Sequence, residues 1–108
     1  MSSKTNQMKT VGDVIRTKRE KLGLLLRHVS AKLDIDQAIL SKVERGERKP
    51  NKEMIIRLAE VLSLDKNQLL VDYLSEKIAY EIADEECAAK ALKAAERKVK
   101  YIKSHSLK

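Results

Sequence analysis

Residues 24–50 read LLLRHVSAKLDIDQAILSKVERGERKP, and the spacing within this stretch decides the fold. Val29, Ser30 and Leu33 share one face of a short helix spanning about 26–33. Asp34 and Ile35 then make a tight turn, with Ile35 plugging the core. Asp36 offers an N-cap for a second short helix over about 37–45, which buries Leu40 and Val43 and stops at Gly46. Beyond it the chain runs into a basic loop, Glu47-Arg48-Lys49-Pro50. Two short helices around a tight turn present the start of the second one, and a cationic loop, to phosphate and base edges.

The flanking segments are helical too. Val11, Ile15 and Leu22 fall on one face of a helix over about 11–22, with Gly23 as its stop. Asn51 caps a fourth helix that buries Met54, Ile55, Leu58 and Leu62. Asp65 with Gln68 forms a capping-box-like start for a fifth, which carries Leu69, Leu70, Tyr73, Leu74, Ile78 and Ile82. No window alternates apolar and polar residues as a half-buried strand does. The expected fold class is therefore all-α. Its organisation is a loose basic N-terminal tail at 1–9, a helical domain at 10–72, a helical extension at 73–103 and a short flexible tail at 104–108.

Composition narrows the partners. The chain has 108 residues, 36% of them charged, and a formal net charge of +7. Residues 1–62 hold fourteen Lys and Arg against eight Asp and Glu, whereas 63–108 hold nine against eight. The excess thus belongs to the half that contains the turn, which implies an anionic partner there. A single cysteine, Cys87, excludes an intrachain disulfide and suits a reducing cytoplasm, the expected location. No apolar run approaches the ~20 residues of a membrane span, and the polar opening MSSKTNQMKT is no signal peptide.

The C-terminal extension has its own pattern. Asp84-Glu85-Glu86 suits the positive end of a sixth helix. Its apolar positions, Ala88, Leu92, Ala95, Val99 and Ile102, are spaced four, three, four, three, as in a coiled-coil seam. Two readings fit: the helix packs on its own domain, or it dimerises the chain. The seam is short and rich in alanine, and Lys98 and Lys103 would oppose each other in a parallel pair, so an antiparallel or globular interface is favoured. Cys87, beside the seam, reads as a small apolar filler. His28 and His105 stand apart from any ligand-spaced partner and read as surface residues.

The register VGDVIRTKREKLGL, then VSAKLDIDQAILSKVERGERKP, then a capped helix ending RLAEVLSL resembles the lambda-repressor/Cro type of helix-turn-helix regulator. The Ser41-Lys42-Val43-Glu44-Arg45-Gly46 segment with Pro50 carries it most specifically. The resemblance covers about 11–70 and implies a five-helix DNA-binding domain, dimeric, with its third helix in the major groove. The added C-terminal helix lies outside it. Leu25 stands where the family caps helix 2 with Ser or Thr, and Leu26 where it has a glutamine that holds a phosphate. Ser30 replaces a small alanine, and Asp34 replaces the turn glycine, a position where Asp tolerates a left-handed backbone better than most residues. The resemblance also implies a partly buried ion pair between Arg19 and Glu44, tying helix 1 to the end of helix 3.

Helix geometry then nominates the contacts. Gln37, Ala38, Ser41 and Lys42 lie on the outward face of helix 3, where they can reach base edges. Gln37 can pair with adenine, Ala38 can touch a thymine methyl, and Lys42 can donate to guanine. Arg27, Arg45, Arg48, Lys49, Asn51 and Lys52 surround that face and are the candidates for phosphate.

Enzymatic readings fail on specific grounds. There is no CxxC, HxxxH or GxGxxG spacing and no metal-ligand cluster, and no cofactor is expected. Single-strand binders stack bases on exposed aromatics, yet Tyr73, Tyr80 and Tyr101 all lie outside the basic half. The expectation is a homodimeric, site-specific regulator of double-stranded DNA, acting as a repressor of its own promoter. The alternative is an antitoxin-like protein whose C-terminal helices bind a partner protein.

Overall fold

The computed structural model describes residues 9–106, and every regular element among them is an α helix. In chain order these are α1 (Val11–Lys21), α2 (Leu26–Leu33), α3 (Gln37–Glu44), α4 (Lys52–Val61), α5 (Lys66–Ile82) and α6 (Ala88–Ser106). The chain divides into two compact units, Met1–Glu76 and Lys77–Lys108, and the division falls inside α5. Among the described residues no helix is long and apolar enough to cross a membrane.

In the first unit, α1 to α4 and the start of α5 close around one core. Ile15, Leu33, Leu40, Ile55, Leu58 and Leu62 are fully buried, and Val29, Val43 and Leu69 nearly so. Met54, expected among them, is partly buried and packs on their edge. Local capping delimits the helices. Thr10 and Asp13 form a reciprocal capping box on α1, Asp36 accepts from the Ala38 amide at 3.1 Å, and Asn51 accepts from the Met54 amide at 2.8 Å.

The first four helices end in one way. A residue with positive φ follows each of them: Gly23, Asp34, Gly46 and Ser63. The next amide then reaches back five residues, Leu24 to Arg19, Ile35 to Ser30, Glu47 to Lys42 and Leu64 to Ala59. This is the Schellman closure, which usually seats an apolar residue just after the turn. Leu24, Ile35 and Leu64 are partly buried against the core as that rule requires. The exception is Glu47, exposed at the end of α3.

The closure of α1 corrects one expectation. The spacing puts Leu22 on the buried face, but it is 45% exposed. The helix stops at Lys21 and Leu22 becomes its C-cap, so the closure turns Leu24 inward instead. Helix 3 likewise ends at Glu44, with Arg45 as C-cap. At the start of α5, Asp65 accepts from the Asn67 and Gln68 amides. The Gln68 side chain does not complete a capping box; it donates to Asp72, one turn on, at 3.0 Å.

The domain expected at 10–72 is in fact tied together by a residue beyond it. Glu76 Oε1 accepts a 2.8 Å hydrogen bond from the Val11 amide, so α5 caps the first turn of α1. This carboxylate at a helix N-terminus both satisfies a donor and meets the positive end of the dipole.

The second unit holds the last turns of α5 and α6. Its sixth helix begins at Ala88 rather than at the acidic triplet, which lies in the preceding turn, where the Glu85 carbonyl accepts from the Ala88 amide. Cys87 is exposed rather than a filler. The expected flexible tail at 104–108 is helical through Ser106, because α6 continues to that residue. His105 is not isolated: its ring stacks on Tyr101 with centroids 4.0 Å apart. Residues 1–8 and 107–108, the rest of the two expected tails, lie outside the described residues.

Candidate nucleic-acid interface

The turn between α2 and α3 sets the interface. Asp34 adopts φ 58°, ψ 46°, the left-handed conformation expected of it, and lets the chain reverse between two eight-residue helices. Leu40, Val43 and Glu44 are buried, which leaves the opposite side of α3 facing outward. Gln37, Ala38 and Lys42 are exposed and Ser41 is half-buried on this outward side. The four expected base-reading residues therefore occupy one row on one helix.

Ser41 is held within that row. Arg45 Nη1 donates to Ser41 Oγ, while Arg45 Nε and Nη2 chelate the two Glu47 carboxylate oxygens, each at 3.0 Å. The hydrogen bond to Glu47 raises the Arg45 pKa above its ordinary value. The same bond holds the Glu47 carboxyl below its own, with nearby Lys42 adding to the effect. Arg45, expected to bind phosphate, is thus paired within the protein, and Glu47 is a participant that sequence reasoning missed. Its one signal was an acidic residue where a Schellman closure ordinarily seats an apolar one.

The remaining cations surround α3. Arg27 sits exposed in the first turn of α2. Leu25 at the N-cap offers no side-chain acceptor to that turn; its own amide instead donates to His28 Nδ1 at 3.0 Å. The His28 amide donates to the Leu25 carbonyl at 3.0 Å, which leaves the Leu26 and Arg27 amides as the ones in this turn that an anion could meet. The Glu47 and Arg48 amides both donate to the Lys42 carbonyl, at 2.8 and 3.3 Å, which pins the basic loop to the end of α3. Lys49 and Lys52 are exposed. Asn51 spends its oxygen on the α4 cap, which leaves its amide NH2 as the group able to donate to phosphate.

Behind this surface, α1 crosses the end of α3 at very short range. A Cβ added to Gly12 would lie 2.4 Å from the Glu44 carbonyl oxygen and 2.7 Å from that of Val43. The same crossing brings Arg19 and Glu44 together. Arg19 Nε meets Glu44 Oε2 at 2.7 Å and Nη2 meets Oε1 at 3.1 Å, with both residues buried. Arg19 Nη1 also donates to the Leu24 carbonyl at 2.8 Å. The hydrogen bond to Glu44 raises the Arg19 pKa, against the opposing effect of burial. On the other side of α2, Arg57 Nη2 donates to the Lys32 carbonyl at 3.3 Å and ties α4 to the end of that helix.

The expected dimerisation residues all lie on α6. Leu92, Val99 and Ile102 are about half exposed, Ala95 is exposed and Ala88 is partly buried. No group of three or more His, Cys, Asp or Glu suited to a metal occurs among the described residues.

An all-helical unit with two short helices around a tight turn, the second presenting a polar row, defines a helix-turn-helix protein. The helix-turn-helix family model matches residues 15–69, and the chain belongs to that family, of the lambda-repressor/Cro type. Among characterised proteins it is similar to the transcriptional regulator ClgR of Mycobacterium tuberculosis. In strain CDC 1551 / Oshkosh the two are 36% identical over 62 residues. The ClgR of strain ATCC 25618 / H37Rv matches equally. The aligned region is 57% of this chain and 55% of the relative, so the chain spans about half the length of the regulators it matches. No solved structure matches significantly.

Proposed function

We propose that this protein is a DNA-binding transcriptional regulator that reads a near-palindromic operator in double-stranded DNA. On this reading it acts in the cytoplasm as a homodimeric repressor of its own promoter. One observation carries the DNA-binding core of it: Gln37, Ala38, Ser41 and Lys42 form an outward row on α3, whose opposite side is locked into the core by Leu40 and Val43. Arg27, Arg48, Lys49, Asn51 and Lys52 around that row are suited to phosphates, which position a recognition helix without reading sequence. The similarity to a transcriptional regulator supports the regulatory role. Two such helices in a dimer would address half-sites about 34 Å apart.

The test is a fluorescence-anisotropy titration at physiological salt, with duplex from upstream of the protein's own gene against scrambled duplex. A preference of roughly 10³ or more is the expected result. Weak, equal binding to both duplexes would refute autoregulation, and no binding to either would refute the DNA-binding reading. In that last case the exposed apolar side chains of α6 favour the antitoxin-like alternative, a module that binds a protein partner.

A further inference from the structure

The second unit contains two segments of opposite charge, and no salt bridge among the described residues joins their charged groups. Upstream of α6, Glu81, Asp84, Glu85 and Glu86 make an acidic arm that also carries Ile78, 48% exposed. In α6, Lys90, Lys93, Arg97, Lys98, Lys100 and Lys103 stand against one acid, Glu96. The salt bridges among the described residues join Arg16, Arg19 and Arg45 to Glu20, Glu44 and Glu47, and none links the arm to α6.

The apolar side of α6 is also open. Leu92 and Val99, two turns apart on one face with Ala88 and Ala95, are 50% and 53% exposed. Among the residues of this helix whose burial is described, 88–105, none is buried. Helices in proteins draw most of their stability from packing an apolar face, so the α6 stripe calls for a partner. Lys98 and Lys103 flank the stripe at helical spacing, and this selects what covers it. A second α6 laid parallel would bring like charges against them, which is unfavourable. An acidic segment with its own exposed apolar residue fits instead, and the chain supplies one.

We propose that two copies of the chain pair reciprocally, the acidic arm of one protomer lying along the apolar stripe and flanking lysines of α6 in its partner. The inference rests on the dimeric reading above and specifies its interface. A two-fold axis makes each contact twice, so one complementary pair of segments serves both protomers.

The experiment is sedimentation velocity on full-length charge-reversed variants. One carries Glu81→Lys, Asp84→Lys, Glu85→Lys and Glu86→Lys; the other carries Lys93→Glu, Lys98→Glu, Lys100→Glu and Lys103→Glu. Circular dichroism monitors their helix content. Each variant alone should dimerise at least about tenfold more weakly than the unaltered chain. Their equimolar mixture should recover the original affinity, because both reversed contacts are then complementary. An arm variant that dimerises normally, or a mixture that fails to recover, overturns the proposal while leaving the dimeric reading in place. An unaltered chain that stays monomeric overturns both. If a variant loses helix, the unaltered chain decides alone. Its dimer must weaken as salt rises from about 50 mM to about 1 M, and a dimer that tightens or ignores salt overturns the proposal.

Discussion

Glu44 holds α1 twice: its carboxylate accepts two hydrogen bonds from Arg19, and its main-chain oxygen lies where a Cβ on Gly12 would be. The final turn of α3 is therefore fixed to α1 by one buried ion pair and one backbone approach. Because α3 carries the outward row, the pair bears on how that row is presented.

Glu44→Ala strands the buried Arg19 charge, and breaking such a pair costs about 3 kcal/mol or more. The expected outcome is a large fall in Tm, with the preference for operator over random DNA retained in the fraction that stays folded. An unchanged Tm would show that the pair is structurally idle. The raised Arg19 pKa gives this contact no pH dependence in the working range. A basic group raised above its ordinary value stabilises fully below that ordinary value, and loses the contribution only as pH rises through the raised one.

Gly12→Ala sets helix propensity against packing. Alanine is favoured over glycine in a helix by about 1 kcal/mol. The new methyl, however, would sit 2.4 Å from a backbone oxygen that has no rotamer to move. Overpacking of this kind costs about 1–3 kcal/mol, so the variant should be net destabilised in urea melts. Stability equal to or above that of the parent would mean α1 moves away freely.

Glu76→Ala removes the acceptor of the Val11 amide. An unsatisfied, part-buried donor costs about 1–3 kcal/mol. Faster hydrogen exchange should appear in the first turn of α1, sixty-five residues away in sequence. Unaltered exchange at Val11 would contradict the cap.

Glu47→Gln loosens the chelate that occupies Arg45 and removes a negative charge beside the recognition helix. Binding to all duplexes should tighten several-fold, and the slope of log affinity against log salt should steepen by up to about 0.9 as Arg45 becomes free for phosphate. The Glu47 carboxyl, lowered by Arg45, should titrate below its ordinary 4.5 by NMR. With that sign the contact is present above 4.5 and lost as pH falls through the lowered value.

Gln37→Ala and Arg48→Ala separate reading from positioning. The first should relax specificity at one base position, a loss of about 1–3 kcal/mol confined to the matching sequence. The second should weaken binding to operator and scrambled duplex alike and reduce the salt slope. Equal losses on both duplexes for Gln37→Ala would remove it from base reading.

Much of this architecture was legible because it is written locally. Asp36 and Asn51 cap the helices they precede, Asp34 turns left-handed, and Leu40 and Val43 point inward as their spacing requires. The misplacements share one cause. Leu22 and the 84–86 acids lie just where a helix ends or begins, and at those points closure geometry overrides periodicity and charge. At the interface the row on α3 was legible, whereas the pairing of Arg45 with both Ser41 and Glu47 was not, since exposed side chains carry no periodic signal.

From sequence alone came the helices, their caps, their inward faces and the turn that makes α2 and α3 a helix-turn-helix, because each follows from residues within a few positions of one another. Tertiary structure alone decided that Glu76 caps α1 and that Gly12 gives way to the Glu44 carbonyl. Such contacts depend on the distances at which whole helices cross. Those distances are set by the packing of many core side chains at once, and no local spacing encodes them.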